Sequence, residues 1–286
     1  ITLLISFLLI AQGHTVHMYN FIFKDPYILW SDNIAKAPNL SRPHNNLGNI
    51  LWNWGAYDEA YKSYETSFNL NRYDILPMVA APINNMGRYY FYKKDYPAAM
   101  THFQASMKIN PKYALTWVNI ARTQIRMNDL RGAEKTTRDG LIHWPDNAWL
   151  RAISSFLLLK QGSYQNSLKE AWKTIAIDSE STDVTRVLAE AYRRTGRIDR
   201  AILYWKEYVS AYNDEIEGYL ALIELYSKMQ QTEKLNNAIA KVMVLKGSTS
   251  WRELMKEYTG ELAAHAYEPD PELLLGIIKR SLLNGI

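Results

Sequence analysis

Three asparagines, Asn46, Asn85 and Asn119, recur at spacings of 39 and 34 residues. An asparagine amide offers both N–H donors and a carbonyl acceptor. A column of them can therefore pair with the N–H and C=O of an extended peptide while tolerating its sequence. The alternative is that these side chains cap turns of their own chain. Five arginines, Arg88, Arg122, Arg126, Arg193 and Arg194, carry forked donors suited to carboxylate or phosphate. Helix-surface arginines also stand solvated or paired, for which Asp129 and Glu190 are at hand. Aromatic residues cluster at Trp52–Trp54, Tyr89–Tyr92 and His143–Trp144. Helical spacing sends at most two of each cluster inward. Trp52, Phe91 and Tyr92 are expected to face a partner, and Tyr90 and Trp144 to wedge against a neighbouring helix.

Chemistry that would make or break bonds finds few residues. The chain contains no cysteine, which removes disulfides, thiolate metal sites and a cysteine nucleophile, and fits an oxidising compartment. His14 and His17 share a helix face, but a third ligand is missing nearby, so no metal site is expected. There is no glycine-rich phosphate loop, nucleophile elbow or spaced carboxylate pair. No cofactor is implied, and the chain reads as a non-enzyme. A net charge of +4, from 33 basic and 29 acidic residues, gives no case for nucleic acid. The 20 Tyr and 9 Trp exceed what core filling requires, which points to protein contact.

The elements that must position these residues follow one 34-residue grid with a single five-residue insertion at 75–79. A small residue follows a bulky one at Leu47-Gly48, Met86-Gly87, Ile120-Ala121 and Leu188-Ala189, with Ser154-Ser155 and Leu222-Ile223 as looser members. Thirteen residues after each bulky member stands Ala60, Ala99, Ala133, Ser167 or Ala201, and Leu235 is the exception. Four further on comes a packing residue, clearest at Tyr64, Phe103 and Trp205. A period of this length means stacked helix–turn–helix units, so an all-α array with one continuous core is expected. Six units run 41–74, 80–113, 114–147, 148–181, 182–215 and 216–249. Turns are expected at Gly55, Lys94-Asp95, Asn128-Asp129, Gly162, Gly196 and Gln230. A half unit fills 24–40, and two amphipathic stretches, 250–266 and 270–284, close the end as caps.

These columns resemble the tetratricopeptide repeat. Asn46-Leu47-Gly48 with Tyr57 and Ala60 carry the likeness, then Asn85-Met86-Gly87 with Tyr96, Ala99, Phe103 and Pro111. Trp117, Ala133 and Pro145 extend it, as do Tyr192, Gly196, Ala201 and Trp205. The resemblance implies a right-handed superhelical solenoid of antiparallel helix pairs whose first helices line a groove. It places the three asparagines and five arginines in that groove, and proteins or peptides as partners.

Residues 1–23 form an apolar stretch expected to be helical. It lacks a basic leader and a cleavage site, and so does not read as a secretory signal. It reads as the end of a transmembrane helix, or else as a buried N-terminal helix. Leu3, Leu4, Phe7, Leu8 and Ile10 form the arm of this stretch. The junction Phe23-Lys24-Asp25, Leu29-Trp30, Lys36-Ala37-Pro38-Asn39 and Arg42-Pro43-His44-Asn45-Asn46-Leu47-Gly48 is similar to one found in polytopic, glycosyltransferase-like membrane proteins. There the last membrane helix meets extracytoplasmic repeats. That likeness implies a bacterial envelope setting, outside the cytoplasm, and a non-catalytic portion of such an enzyme that binds acceptor peptides. The leading expectation is a binding and assembly module, membrane-proximal or released. An exposed apolar arm would seek a second copy, and head-to-tail contacts that do not close make filaments.

Overall fold

Each helix pair turns on one residue in the left-handed region. Gly55, Lys94, Asn128, Gly162, Gly196 and Gln230 have φ between 56° and 79°. In every case the next residue donates its N–H to the carbonyl five positions back: Ala56 to Leu51, Asp95 to Tyr90, Asp129 to Gln124, Ser163 to Leu158, Arg197 to Tyr192 and Gln231 to Tyr226, all at 2.8–2.9 Å. This 6→1 bond satisfies an end carbonyl of the first helix and sends the chain into the second. Asp95 and Asp129 then accept from Ala98 and Gly132 N–H groups at 3.1 and 2.9 Å, capping the helices they precede.

The computed structural model describes residues 25–70, 76–179, 181, 184–261 and 264–283. Among them are fifteen α-helices and no strand. They are α1 (Pro26–Lys36), α2 (Ser41–Asn53), α3 (Tyr57–Leu70), α4 (Leu76–Tyr92), α5 (Tyr96–Ile109), α6 (Ala114–Arg126), α7 (Leu130–His143) and α8 (Ala148–Lys160). There follow α9 (Tyr164–Ile177), α10 (Thr185–Arg194), α11 (Ile198–Ala211), α12 (Ile216–Lys228), α13 (Thr232–Lys246), α14 (Trp251–Gly260) and α15 (Pro271–Leu283). The expected apolar helix, with Leu3, Leu4, Phe7, Leu8 and Ile10, lies outside the described residues. Among the described residues no helix is long and apolar enough to cross a membrane.

The chain divides into two compact units, residues 1–119 and 120–286. In unit 1, α1 packs on α2, α2 on α3, α3 on α4 and α4 on α5. The small first-helix residues are there because aromatic rings fill the space above them. A Cβ on Gly48 would sit 2.6 Å from Tyr64 Cε1, and one on Gly87 would sit 2.7 Å from Phe103 Cε1. Tyr64 and Phe103 are at most 1% exposed. Burying each such ring contributes about 2–3 kcal/mol, and the close approach of two helices depends on it.

Unit 2 repeats the pairing as α8 on α9, α10 on α11 and α12 on α13. Ala133, Ser167 and Ala201 are fully buried, whereas Leu235 is half-buried. The fourth repeat, which departs from the small-residue column, solves its contact with hydroxyls. Ser167 Oγ donates to the Ser155 carbonyl at 2.8 Å, and both side chains are buried. The array ends in two helices, one in each of the amphipathic stretches, and the first is shorter than its stretch. A Ser250–Glu253 capping box starts α14, which stops at Gly260, and residues 265–270 are not helical. Asp270 then caps α15, which buries Leu274, Ile277 and Ile278 as it packs on α12.

Candidate functional site

Beyond α14, main-chain groups of residues 264, 266 and 267 are taken by side chains of the first helices. Glu217, near the start of α12 and 2% exposed, accepts the N–H of Ala266 at 2.6 Å and of Tyr267 at 2.9 Å. Arg186 of α10 donates to Glu217 at 3.0 Å and to the Ala264 carbonyl at 3.1 Å. His265 Nδ1 lies 3.3 Å from Glu217, and its ring stacks on Tyr258 at 4.2 Å. A carboxylate and a guanidinium thus read the backbone of an irregular, non-helical stretch, donor by acceptor.

The side chains of that stretch are held as well. Tyr267 is fully buried, and its hydroxyl donates to Glu224 at 2.6 Å. The Arg193 guanidinium lies 5.2 Å over its ring, and Arg193 also donates to Glu224 at 2.9 Å. Tyr258 donates its hydroxyl to the Tyr267 carbonyl at 2.9 Å. Glu268 meets Lys160 of α8 at 2.6 Å and Arg194 of α10 at 3.5 Å. These last three residues border a cleft of about 270 Å³ with Glu190 and Ala266.

Electrostatics decide which of these groups grip. Burial pushes the Glu217 carboxyl up. Arg186, His265 and the Tyr267 N–H together outweigh it and hold the group down at about 2. Burial raises Glu190 instead, in spite of Arg193 and Arg194, which donate to it at 2.7 and 2.8 Å. The Tyr267 hydroxyl is pushed well above its ordinary value by burial and by Glu224, so it stays a donor.

The residues singled out from sequence fall in different places. Arg193 and Arg194 belong to this network, and Arg126 donates to Glu261 at 3.4 Å, just ahead of residues 264–268. Arg122 is exposed on α6. Arg88 covers the Trp52 ring at 4.7 Å and donates weakly to Asn85 at 3.5 Å. The asparagine column does not present one surface. Asn85 is 5% exposed, and its amide nitrogen donates to Asn45 and Asn49 at 3.0 and 3.2 Å. Asn119 donates to Asn84 at 3.0 Å, while Asn46 sits half-buried on α2. Buried amides must be satisfied, and the stack itself satisfies these two. Of the aromatic trio, Tyr92 is 48% exposed. Trp52 is half-buried against Tyr57 and Tyr92, and Phe91 against Tyr96.

Sequence reasoning missed Glu217, Glu224, Arg186, Lys160, Tyr267 and Glu268. One signal was available. Glu217 and Glu224 stand seven apart on an otherwise apolar helix, as Arg186 and Arg193 do on α10, so each pair shares a helix face.

With the geometry in place, relatives can be compared. Residues 41–74 match the tetratricopeptide repeat family. The APC/C hetero-tetramer Cut9-Hcn1 superposes with a TM-score of 0.73 at 9% identity. It covers 90% of this chain, which spans 45% of that one. PilW, described as a widely conserved type IV pilus biogenesis factor, has a TM-score of 0.59 at 17% identity, covering 76% of this chain and 98% of its own. The pilF protein of Pseudomonas aeruginosa has a TM-score of 0.59 at 10% identity, covering 77% and 97%. No curated protein matches the chain in sequence. At these identities the likeness establishes the fold: an all-α array of tetratricopeptide-type helix pairs.

Proposed function

We propose that this chain is a protein-interaction module whose first helices, α8, α10 and α12, hold a non-helical polypeptide segment. One observation carries the reading: Glu217 accepts two successive main-chain N–H groups while Arg186 donates to a carbonyl of the same stretch. Recognition through the backbone tolerates many sequences, and pockets for individual side chains then add selectivity. Similarity to a pilus biogenesis factor and to a subunit of a hetero-tetramer supports a role in assembly. The apolar stretch 1–23 supports, from sequence, a membrane-proximal setting in the envelope and self-association through that arm.

A peptide library panned on the immobilised chain tests the reading, with a photoreactive residue in the selected peptides. Crosslinks are expected on α8, α10 and α12. Crosslinks confined to second helices, or no peptide held more tightly than about 1 mM, would overturn it.

A further inference from the structure

The stretch that α8, α10 and α12 hold is the chain's own, and its contacts spell out what a foreign ligand must carry. We propose that residues 264–268 occupy a peptide-binding site in cis, and that this site takes, in exchange, a non-helical partner segment bearing a tyrosine followed by an acidic residue. The inference rests on the peptide-holding reading above and adds the ligand class and the self-occupancy.

Three features of the stretch make it a ligand as well as a connector. Its N–H groups at Ala266 and Tyr267 bond outward to Glu217 on another helix, and the Ala264 carbonyl takes Arg186. Tyr267 enters a fully enclosed place whose floor is polar, so the hydroxyl at its tip is read by Glu224. A phenylalanine there would leave Glu224 with one donor fewer. Glu268 offers its carboxylate to two cations from different helices, Lys160 on α8 and Arg194 on α10. The Lys160 side chain is 6% exposed, whereas Glu268 is 45% exposed. The buried member thus belongs to the receiving helices and the accessible one to the segment, as in a site built to receive an anion. The cleft bordered by Lys160 and Arg194 also has Ala266 and Glu268 of the segment in its wall, so an acidic residue of a partner would meet the same two cations.

The tie is anchored outside the site by α14 and α15, so the segment can lift while α15 keeps its apolar contact with α12. A tethered occupant competes at high effective concentration, and weakening it reveals the site to a ligand in trans.

The test uses the full chain and a fluorescent peptide of residues 261–270. The double variant Tyr267→Phe/Glu268→Gln keeps the segment's shape and removes its two side-chain signals. This variant is expected to bind the peptide at least about ten-fold more tightly than the unaltered chain. A peptide with Phe and Gln at the same two places should lose about ten-fold. Equal binding by variant and unaltered chain, with the variant folded by circular dichroism, overturns the proposal. If the variant does not fold, hydrogen exchange on the unaltered chain decides. Ala266 and Tyr267 amides exchanging well before those of α12 support self-occupancy, and exchange together with α12 overturns it. Failure here with library peptides still crosslinking to α8, α10 and α12 removes the self-occupancy alone. Failure of both removes the peptide-holding reading.

Discussion

At Gly87 on α4 two effects of known size oppose each other. Alanine is the better helix former by about 1 kcal/mol, which alone would favour Gly87→Ala. The added methyl would lie 2.7 and 2.8 Å from Phe103 Cε1 and Cδ1, and Phe103 is 1% exposed. A rigid enclosed ring cannot swing aside, so α4 and α5 must part, and overpacking of this kind costs about 1–3 kcal/mol. The steric term wins. Gly87→Ala is expected to lower stability by up to about 2 kcal/mol in urea unfolding, and a stabilised variant would show that α4 and α5 separate at little cost. Phe103→Leu combined with Gly87→Ala should recover part of the loss. This contact was legible in the sequence because it repeats: Gly87 and Phe103 stand sixteen apart, as Gly48 and Tyr64 do. Glu217 was not legible in the same way, because it repeats nowhere. Its partners Ala266 and Tyr267 lie 49 and 50 residues on, at a distance that only the fold closes.

The helix pair is the element where sequence and structure agree most closely, and the turn explains why. A left-handed residue followed by a 6→1 bond requires little of its surroundings, so it can be read one repeat at a time. The array uses glycine for this at Gly55, Gly162 and Gly196, yet places Lys94, Asn128 and Gln230 in the same conformation. A side chain with a Cβ is strained there by about 1 kcal/mol or more. Gln230 is exposed and joins α12 to α13, so its replacement loses little packing. Gln230→Gly is therefore expected to raise the midpoint of thermal unfolding by about 2–4 °C, for about 1 kcal/mol gained. An unchanged midpoint would mean the strain is already relieved by the Gln231–Tyr226 bond that follows. The caps resisted such reading. Amphipathic periodicity continues from 250 to 266, but the helix stops at Gly260, and beyond it the N–H groups of Ala266 and Tyr267 go to Glu217. Periodicity reports which residues could form a helix and is blind to a competing acceptor elsewhere in the chain.

Across the whole molecule the two units hold their polar interior by different means, and acid should separate them. In unit 1 the buried polar contacts are amides and hydroxyls: Asn85 with Asn45 and Asn49, Ser106 with Thr116, Asn119 with Asn84. None of these titrates between neutrality and pH 2; acid-titrating groups of unit 1 include the exposed Asp58 carboxyl, lowered by Tyr89 and Lys93, and the half-buried His102 imidazole, lowered by burial. In unit 2 the stretch 264–268 is tied through Glu217, Glu224 and Glu268 to Arg186, Arg193, Arg194, Lys160 and His265. Glu217 has its folded value held at about 2, below the ordinary glutamate value of about 4.3. Its stabilisation is thus fully present above the ordinary value and drains as pH falls from about 4.3 toward 2. Glu190 acts in the opposite sense: burial raises its value, so acid relieves a cost there. The two are separated by Glu217→Gln, which removes one titration and leaves the other. Hydrogen-exchange protection, corrected for the intrinsic pH dependence of exchange, is the measurement. On acidification from pH 5 to pH 2, residues 264–268 and α14 are expected to lose protection before α2–α5. In Glu217→Gln the same residues should already be weakly protected at pH 7 and change little with acid. Loss of protection at one common pH throughout both units would show that this carboxylate does not govern the end of the array. A stepwise loss fits a repeat protein, in which each helix pair answers first to its immediate neighbours.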